Sequence, residues 1–375
     1  MDILVDYVVP FLIVLTVLVF VHELGHFLVA RYNNVRVEVF SIGFGKELFG
    51  IDDKHGTRWK FSAIPMGGYV KMFGEGESTE DEDGEERELS DEEKAVSFAH
   101  KRLGQRAAVV FAGPFANFLF AVIVMAGLFY VTGQPHHLAG IGTVQAGSAA
   151  EEAGIVSGDR IVMIQGQNVT LFEDLREIVM ANPNVPLSMQ IIRDDIQMTL
   201  VATPKPHIFQ EDGVEQQVGL LGVTPDPKFV QYEPLGVINS AIKGADWTYG
   251  MTVNILGAVG KMITGAVSRD ELGGPLRIAQ MSGQMAQGGI ANLILFMAAL
   301  SINLGLINLF PIPMLDGGHL VFYFFEAILG RPINEKAQEY SFRFGLILVL
   351  LLMVFVTWND IVQMKIVENL LNLFS

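Results

Sequence analysis

Four stretches of this chain, roughly 7–30, 106–132, 290–310 and 343–364, are apolar runs long enough to cross bilayer hydrocarbon, which takes about 20 helical residues. Nothing else in the sequence restricts the fold as much. Backbone N–H and C=O groups at membrane depth have no water to pair with, so continuous apolar runs of this length have to be helical. The expected fold class is therefore a polytopic α-helical membrane protein with four transmembrane helices. The first and last runs are almost uninterrupted (VVPFLIVLTVLVFV and FGLILVLLLMVFVTW). The second contains Ala112, Gly113 and Ala116, small residues that suit close helix crossing. The third ends at NLFPIPMLDGG, where Pro311 and Pro313 must break or unwind the helix. Broken backbone at that depth is tolerated only where it is buried in protein or lines a wet cavity.

Charge gives an orientation. Arg31, Arg36, Lys46, Lys54, Arg58, Lys60 and Lys71 follow the first run; Lys101, Arg102 and Arg106 precede the second. Arg331, Lys336 and Arg343 lie between the third and fourth. By the positive-inside rule these two loops are cytoplasmic, and both termini and the long 133–289 segment are outside. Asp2 and Asp6 stand where a cleaved signal would carry basic residues, so the first run reads as a retained span. The formal charge of −16 argues against nucleic acid, whose phosphates need clustered Lys and Arg. Twelve carboxylates lie between Glu75 and Glu93, which reads as a solvated insert. The chain has no cysteine, which excludes disulfides and zinc–thiolate sites.

The first run holds FVHELGHFLVARY, residues 20–32, with two histidines and a glutamate where hydrocarbon belongs. Such residues are costly to insert and usually mark function. His22 and His26 are four apart, so a helix offsets them by only about 40° and 6 Å along one face. That H-E-x-x-H spacing can hold one zinc ion, with Glu23 placed to take a proton from water. A catalytic zinc takes three protein ligands and leaves one position open. Asp316, at the interrupted end of the third run, is the strongest third ligand, with Gly317 and Gly318 giving the backbone freedom to aim it. His319 is the nearest rival, or else a residue that supports a ligand. Asn308 could donate a hydrogen bond to an oxyanion or to a substrate backbone, or could simply bond between helices.

Outside the spans, EVFSIGFGKELFG (38–50) and TRWKFSAIPMGGYVKMFG (57–74) read as strands or hairpins dipping towards the membrane. Residues 138–204 alternate like a small β-rich domain: strand, short helix, Gly-Asp turn, strand, amphipathic helix TLFEDLREIVM, then a hairpin through Asp194 and Asp195. Residues 232–289 return to helical periodicity, either as an interfacial helix or as a connector packed on the globular domain.

HELGH, GPFANFLFA, NLFPIPMLDGG and GSAAEEAGIVSGDRIVMIQGQNV together resemble the site-2 family of intramembrane zinc metalloproteases over nearly the whole chain. The resemblance implies one zinc ion per chain held by His22, His26 and Asp316, Glu23 as catalytic base and Asn308 as a substrate-handling residue. It implies that the SIGFG and GGYVKM segments, with Gly43, Gly45, Gly67 and Gly68, form membrane-associated β-elements that engage an extended substrate. The inserted outer domain resembles a PDZ α+β domain, expected to filter substrates by size or to read a newly exposed C-terminus. The best-known members of the bacterial branch carry two tandem PDZ domains, whereas this chain has room for one.

The organisation expected is then a first span (1–37), a cytoplasmic β region with the acidic loop (38–105), a second span (106–132) and a PDZ-like domain (133–231). A post-PDZ interfacial region (232–289), a third span with NLFPIPMLDGG (290–330) and a fourth span with its tail (331–375) follow. The function the resemblance implies is regulated intramembrane proteolysis in the bacterial cytoplasmic (inner) membrane. Its partners would be the lipid bilayer and single-span membrane proteins such as anti-sigma factors or signal-peptide remnants, cut after a first extracytoplasmic cleavage. Two other classes compete. A silent scaffold with structural metal should close its site with four ligands. A metal transporter should carry further acids or histidines in its other spans, and the second and fourth runs have almost none apart from Asp360.

Overall fold

The computed structural model describes residues 4–75, 89–211, 214–265 and 273–363. The chain divides into two compact units, one of Met1–Leu128 with Val237–Ser375 and one of Phe129–Gly236.

The first unit opens with a π-helical turn at Leu4–Val8 that runs into α1 (Val9–Tyr32). A hairpin of long strands follows, β1 (Val37–Asp52) and β2 (Arg58–Met72), paired antiparallel with several register shifts. Phe40 of β1 stacks on Trp59 of β2 at 4.3 Å, and Phe27 of α1 meets Phe40 edge-on at 5.6 Å. Such aromatic pairs add about 0.5–1.5 kcal/mol each beyond the area they bury. They fix the hairpin to the lower half of α1, with Val37, Met72, Phe98 and Val109 in the same core. The acidic run ends in a short helix, α2 (Asp91–Val96), started by a capping box between Ser90 and Glu93. The turn buries none of its residues, as a solvated run expects, and residues 76–88 of that run lie outside the described residues.

The second long helix, α3 (Leu103–Thr132), crosses α1 closely. A Cβ on Gly25 would overlap the Ala112 carbonyl and come within 2.7 Å of Ala116 Cβ. The small residues of both helices thus meet at one crossing, as membrane helix packing favours.

The second unit holds β3 (Gln134–His137), β4 (Ile141–Val144), α4 (Ala149–Glu152), β5 (Arg160–Ile164), β6 (Gln167–Asn168) and α5 (Phe172–Met180). It continues with β7 (Leu187–Arg193), β8 (Ile196–Ala202), β9 (Lys205–Glu211), β10 (Val214–Leu220), β11 (Val223–Pro225) and β12 (Val230–Glu233). The central sheet has the order β6-β5-β7-β8, and β4 pairs with β11, β3 with β12, and β9 with β10. Asp194 and Asp195, both at positive φ (47° and 62°), turn β7 into β8 as a tight hairpin demands. Alternate residues Leu187, Met189 and Ile191 point inward onto Ile161, Ile164 and Leu175. Each such side chain contributes about 1.5–3 kcal/mol on full burial. The fully buried Asp159 accepts two 2.7 Å hydrogen bonds from the Arg193 fork. That bond holds the guanidinium above its ordinary pKa range.

The chain then returns to the first unit through α6 (Val237–Ile263), α7 (Pro275–Gln287), α8 (Ile290–Leu309), α9 (Asp316–Leu329) and α10 (Glu335–Gln363). Within the 232–289 segment, α6 packs on α8, whereas α7 packs on α1, α8 and α10. Asp360 of α10 is buried and caps α7, accepting from the main-chain N–H groups of Gly274 (2.8 Å), Leu276 (3.1 Å) and Arg277 (3.1 Å). A side-chain acceptor at a helix start satisfies otherwise orphaned donors.

Among the described residues four helices have the length and apolarity to cross a membrane: Leu4–Tyr32, Leu103–Thr132, Ile290–Leu309 and Lys336–Gln363. The last begins several residues before the apolar run expected at 343, because hydropathy marks only its apolar length. Its polar first turns extend the helix with an exposed Glu339–Arg343 pair four residues apart. Further along, Ile347, Leu351, Val354 and Trp358 all face outward, an apolar surface suited to lipid rather than water.

Candidate metal centre

α1 places His22 and His26, both buried, on one face, with their Nε2 atoms 3.2 Å apart. His26 Nδ1 lies 2.9 Å from the Val109 carbonyl of α3. A carbonyl only accepts, so Nδ1 carries the proton and Nε2 presents a lone pair. The helix break supplies the third group. α8 stops at Leu309, the backbone through Pro311 and Pro313 is irregular, and α9 starts at Asp316. Asp316 Oδ2 sits 3.2 Å from His22 Nε2, and Oδ1 sits 3.6 Å from His26 Nε2.

These residues fit a zinc ion. One ligand atom from each of His22, His26 and Asp316 falls within 4.8 Å of the others. Asp316 Oδ2 is buried and has no hydrogen-bond donor. A buried carboxylate oxygen left unbonded beside two imidazole nitrogens is what a cation satisfies. Two imidazoles and a carboxylate also leave one tetrahedral position free, as catalytic zinc sites do.

The role expected for Gly317 and Gly318 needs correcting. Neither has a left-handed φ; within the break it is Met314 that does, at 85°. The glycines instead provide room: a Cβ on Gly317 would overlap the Leu309 and Phe310 carbonyls, and one on Gly318 would come within 2.5 Å of the Ile312 carbonyl. Asp316 is aimed by a backbone that folds onto its own helix start, and only glycine fits beneath it.

A cavity of about 270 Å³ opens on the group, lined by Glu23, Tyr69, Asn308, His319 and Tyr323 besides the three ligand-type residues. Glu23 and Asn308 therefore share the space in front of the carboxylate. His319 stands one turn beyond Asp316, outside the ligand group, with its ring 5.0 Å from that of Phe342. Of the four glycines singled out in the hairpin, none lines the cavity. Gly43, Gly45 and Gly67 have positive φ (89°, 85° and 118°), which the bent hairpin requires. Gly68 packs against Glu23: a Cβ there would meet Ser41 O at 2.6 Å and Glu23 Cγ at 3.4 Å.

Three residues near the site are given no role there by the sequence reading. Glu75, counted with the solvated acidic run, lines the cavity. Tyr323 lies two turns after Asp316 on α9, a spacing that places both on one face. Asn117 of α3, fully buried, has its amide 3.1 Å from His22 Nδ1. Its signal is a single amide inside an apolar run, four residues after Gly113.

Gly113 itself is the floor of the site. A Cβ there would overlap His26 Nε2 and lie 2.9 Å from His22 Cε1. Gly113→Ala is expected to push the imidazoles apart, at a packing cost of about 1–3 kcal/mol. Cleavage should drop at least tenfold, with weaker zinc retention in a chelator titration; unchanged zinc affinity would mean that α3 can shift to make room.

Two imidazoles, a carboxylate and a neighbouring glutamate, set among helices of membrane-crossing length, define a metal-dependent hydrolase of the membrane. Comparison with known proteins gives the particular family. The sequence profile of peptidase family M50 matches residues 10–352, and the chain belongs to that family; it is a zinc-dependent metalloprotease. A protein of Agrobacterium fabrum that carries the name of a zinc metalloprotease is 43% identical over 366 residues, 96% of each chain. One of Rhizobium meliloti with the same kind of name is 42% identical over 369 residues, covering 96% of this chain and 99% of its own. The regulator of sigma-E protease RseP of Salmonella typhimurium is 33% identical, covering 93% of this chain and 97% of its own. That last alignment runs over 449 positions, more than this chain has residues.

Proposed function

We propose that this protease hydrolyses peptide bonds of single-span membrane proteins in or near their spans, after another protease has removed their outer parts. The observation that carries the reading is the convergence of His22, His26 and Asp316 beside Glu23, on helices of membrane-crossing length. When bound by those three residues, zinc supplies Lewis-acid polarisation of the scissile carbonyl and acidifies water. Glu23 takes the proton as water adds to the carbonyl carbon. It then delivers that proton to the leaving nitrogen as the C–N bond breaks. Asn308 donates to the substrate backbone and holds the carbonyl in line.

The β1–β2 hairpin beside Glu23 offers an extended substrate a strand edge, and backbone pairing of that kind tolerates many sequences. The Phe129–Gly236 unit serves as a PDZ-like size filter or C-terminus reader on the outer side. Both termini lie on that side, and the site opens towards the cytoplasmic side of a bacterial inner membrane. Substrates of the anti-sigma-factor or signal-peptide-remnant kind suit it.

The test uses the purified full-length protein in detergent with a single-span substrate in two forms, intact and trimmed of its outer domain. Cleavage inside the span of the trimmed form alone is the expected result. Equal cleavage of the intact form would remove the filter, and cleavage only outside the span would overturn the intramembrane reading.

A further inference from the structure

We propose that Asn117 is a positioning residue that sets the tautomer of His22, by turning its amide oxygen towards the Nδ1 proton of that ring. The inference rests on the proposal above that His22 holds zinc. The two rings on α1 are held differently. His26 is fixed by a main-chain carbonyl, Val109 O, at 2.9 Å from Nδ1, a partner that admits one tautomer only. His22 Nδ1 instead faces the side-chain amide of Asn117 at 3.1 Å. An amide can present either a donor or an acceptor, and its oxygen and nitrogen have almost the same shape, so the surrounding network fixes which is which.

The two arrangements have opposite consequences. If the amide nitrogen donates to Nδ1, then Nδ1 holds a lone pair and Nε2 of neutral His22 carries the proton. That proton would point into the space shared by His26 Nε2, 3.2 Å away, and Asp316 Oδ2, also 3.2 Å away, where a metal belongs. If the amide oxygen accepts from Nδ1–H, Nε2 is a lone pair, and both rings present lone pairs together with the carboxylate. Asn117 has one amide atom, Oδ1, without a partner where it stands, and turning the amide leaves the nitrogen there instead. Hydrogen-bond counting therefore does not choose between the two, and the metal does. Zinc needs a lone pair on Nε2, and a partner at the other ring nitrogen is what usually fixes it.

The amide is well placed for that work. Asn117 is fully buried, and its main-chain carbonyl accepts a 2.9 Å hydrogen bond from the buried Ser301 hydroxyl of α8. A Cβ on Gly305 of α8 would lie 3.4 Å from Asn117 Cβ, so the neighbouring helix closes over it with little room for a new rotamer.

The test is zinc affinity, measured by chelator competition on the purified full-length protein in detergent, for wild type and four variants. Asn117→Leu keeps the volume and removes the hydrogen bond; its zinc affinity should fall about 10- to 100-fold. Asn117→Asp keeps an acceptor and cannot donate when ionised; it should bind zinc within a few-fold of wild type. Asn117→Ala should resemble the leucine variant, which separates the hydrogen bond from packing should leucine fail to fold. His22→Ala is the control for the underlying reading and should lose zinc. Wild-type affinity in the leucine and alanine variants would overturn the inference. So would an aspartate variant as weak as alanine, because the contact would then need a donor. If His22→Ala keeps its zinc, it is the ligand set that fails and not the tautomer.

Discussion

Glu23→Gln is expected to abolish cleavage and leave zinc bound. Glutamine keeps the shape of the side chain but has no carboxylate to accept a proton. Glu23 lines the cavity in front of the metal-ligand group without belonging to it. Loss of a general acid–base group costs about 10²–10⁴ in rate. In the proposed reaction one carboxylate serves both proton transfers, so the loss should lie at the upper end, with zinc per chain unchanged. Zinc loss in step with activity would make Glu23 a ligand and send the search for the base to Glu75, the other carboxylate facing the same cavity besides Asp316.

Asp316→Ala should behave in the opposite way and lose metal and activity together. Asp316 is the one carboxyl side chain of the group, and its Oδ2 has no hydrogen bond. Removing it leaves two imidazoles. The fall in zinc affinity should exceed the 10- to 100-fold typical of changes to residues that merely support a ligand. Asp316→Asn, neutral but nearly isosteric, should fall between alanine and wild type. Full zinc retention in the alanine variant would bring back His319, one turn further along α9, as the third ligand. The two substitutions together separate base from ligand: one uncouples zinc from activity and the other removes both.

The difference between these two residues also shows how far the sequence reaches. Glu23 was legible because its partners are adjacent: periodicity puts His22 and His26 on one helical face, and Glu23 sits between them in the chain. The spans were legible for the same kind of reason, since a run of apolar residues states its own environment. So was the β7–β8 turn, where Asp194 and Asp195 adopt the positive φ that a tight hairpin needs. Asp316 was legible only as a candidate, an acid beside two helix-breaking prolines, with His319 three residues away as a rival.

The tertiary structure decided what depends on separation in the chain. Asp316 reaches His22 across almost three hundred residues, and Asn117 reaches it across 95. No pattern within one helix encodes which face of another will be opposite. Glu75 moved from an apparent charge run to the cavity beside His22, His26 and Asp316 because the hairpin that leads to it is fixed to α1 by Phe27, Phe40 and Trp59. Gly317 and Gly318 look like flexible residues in the sequence, and packing shows them to be spaces for carbonyl oxygens. By itself the sequence determined the helices, their breaks and the histidine pair, because those follow from local sterics and from transfer between water and lipid. Only close packing of α1, α3, α8 and α9 decided which distant side chains join the histidine pair, because that depends on shape matched at the scale of single atoms.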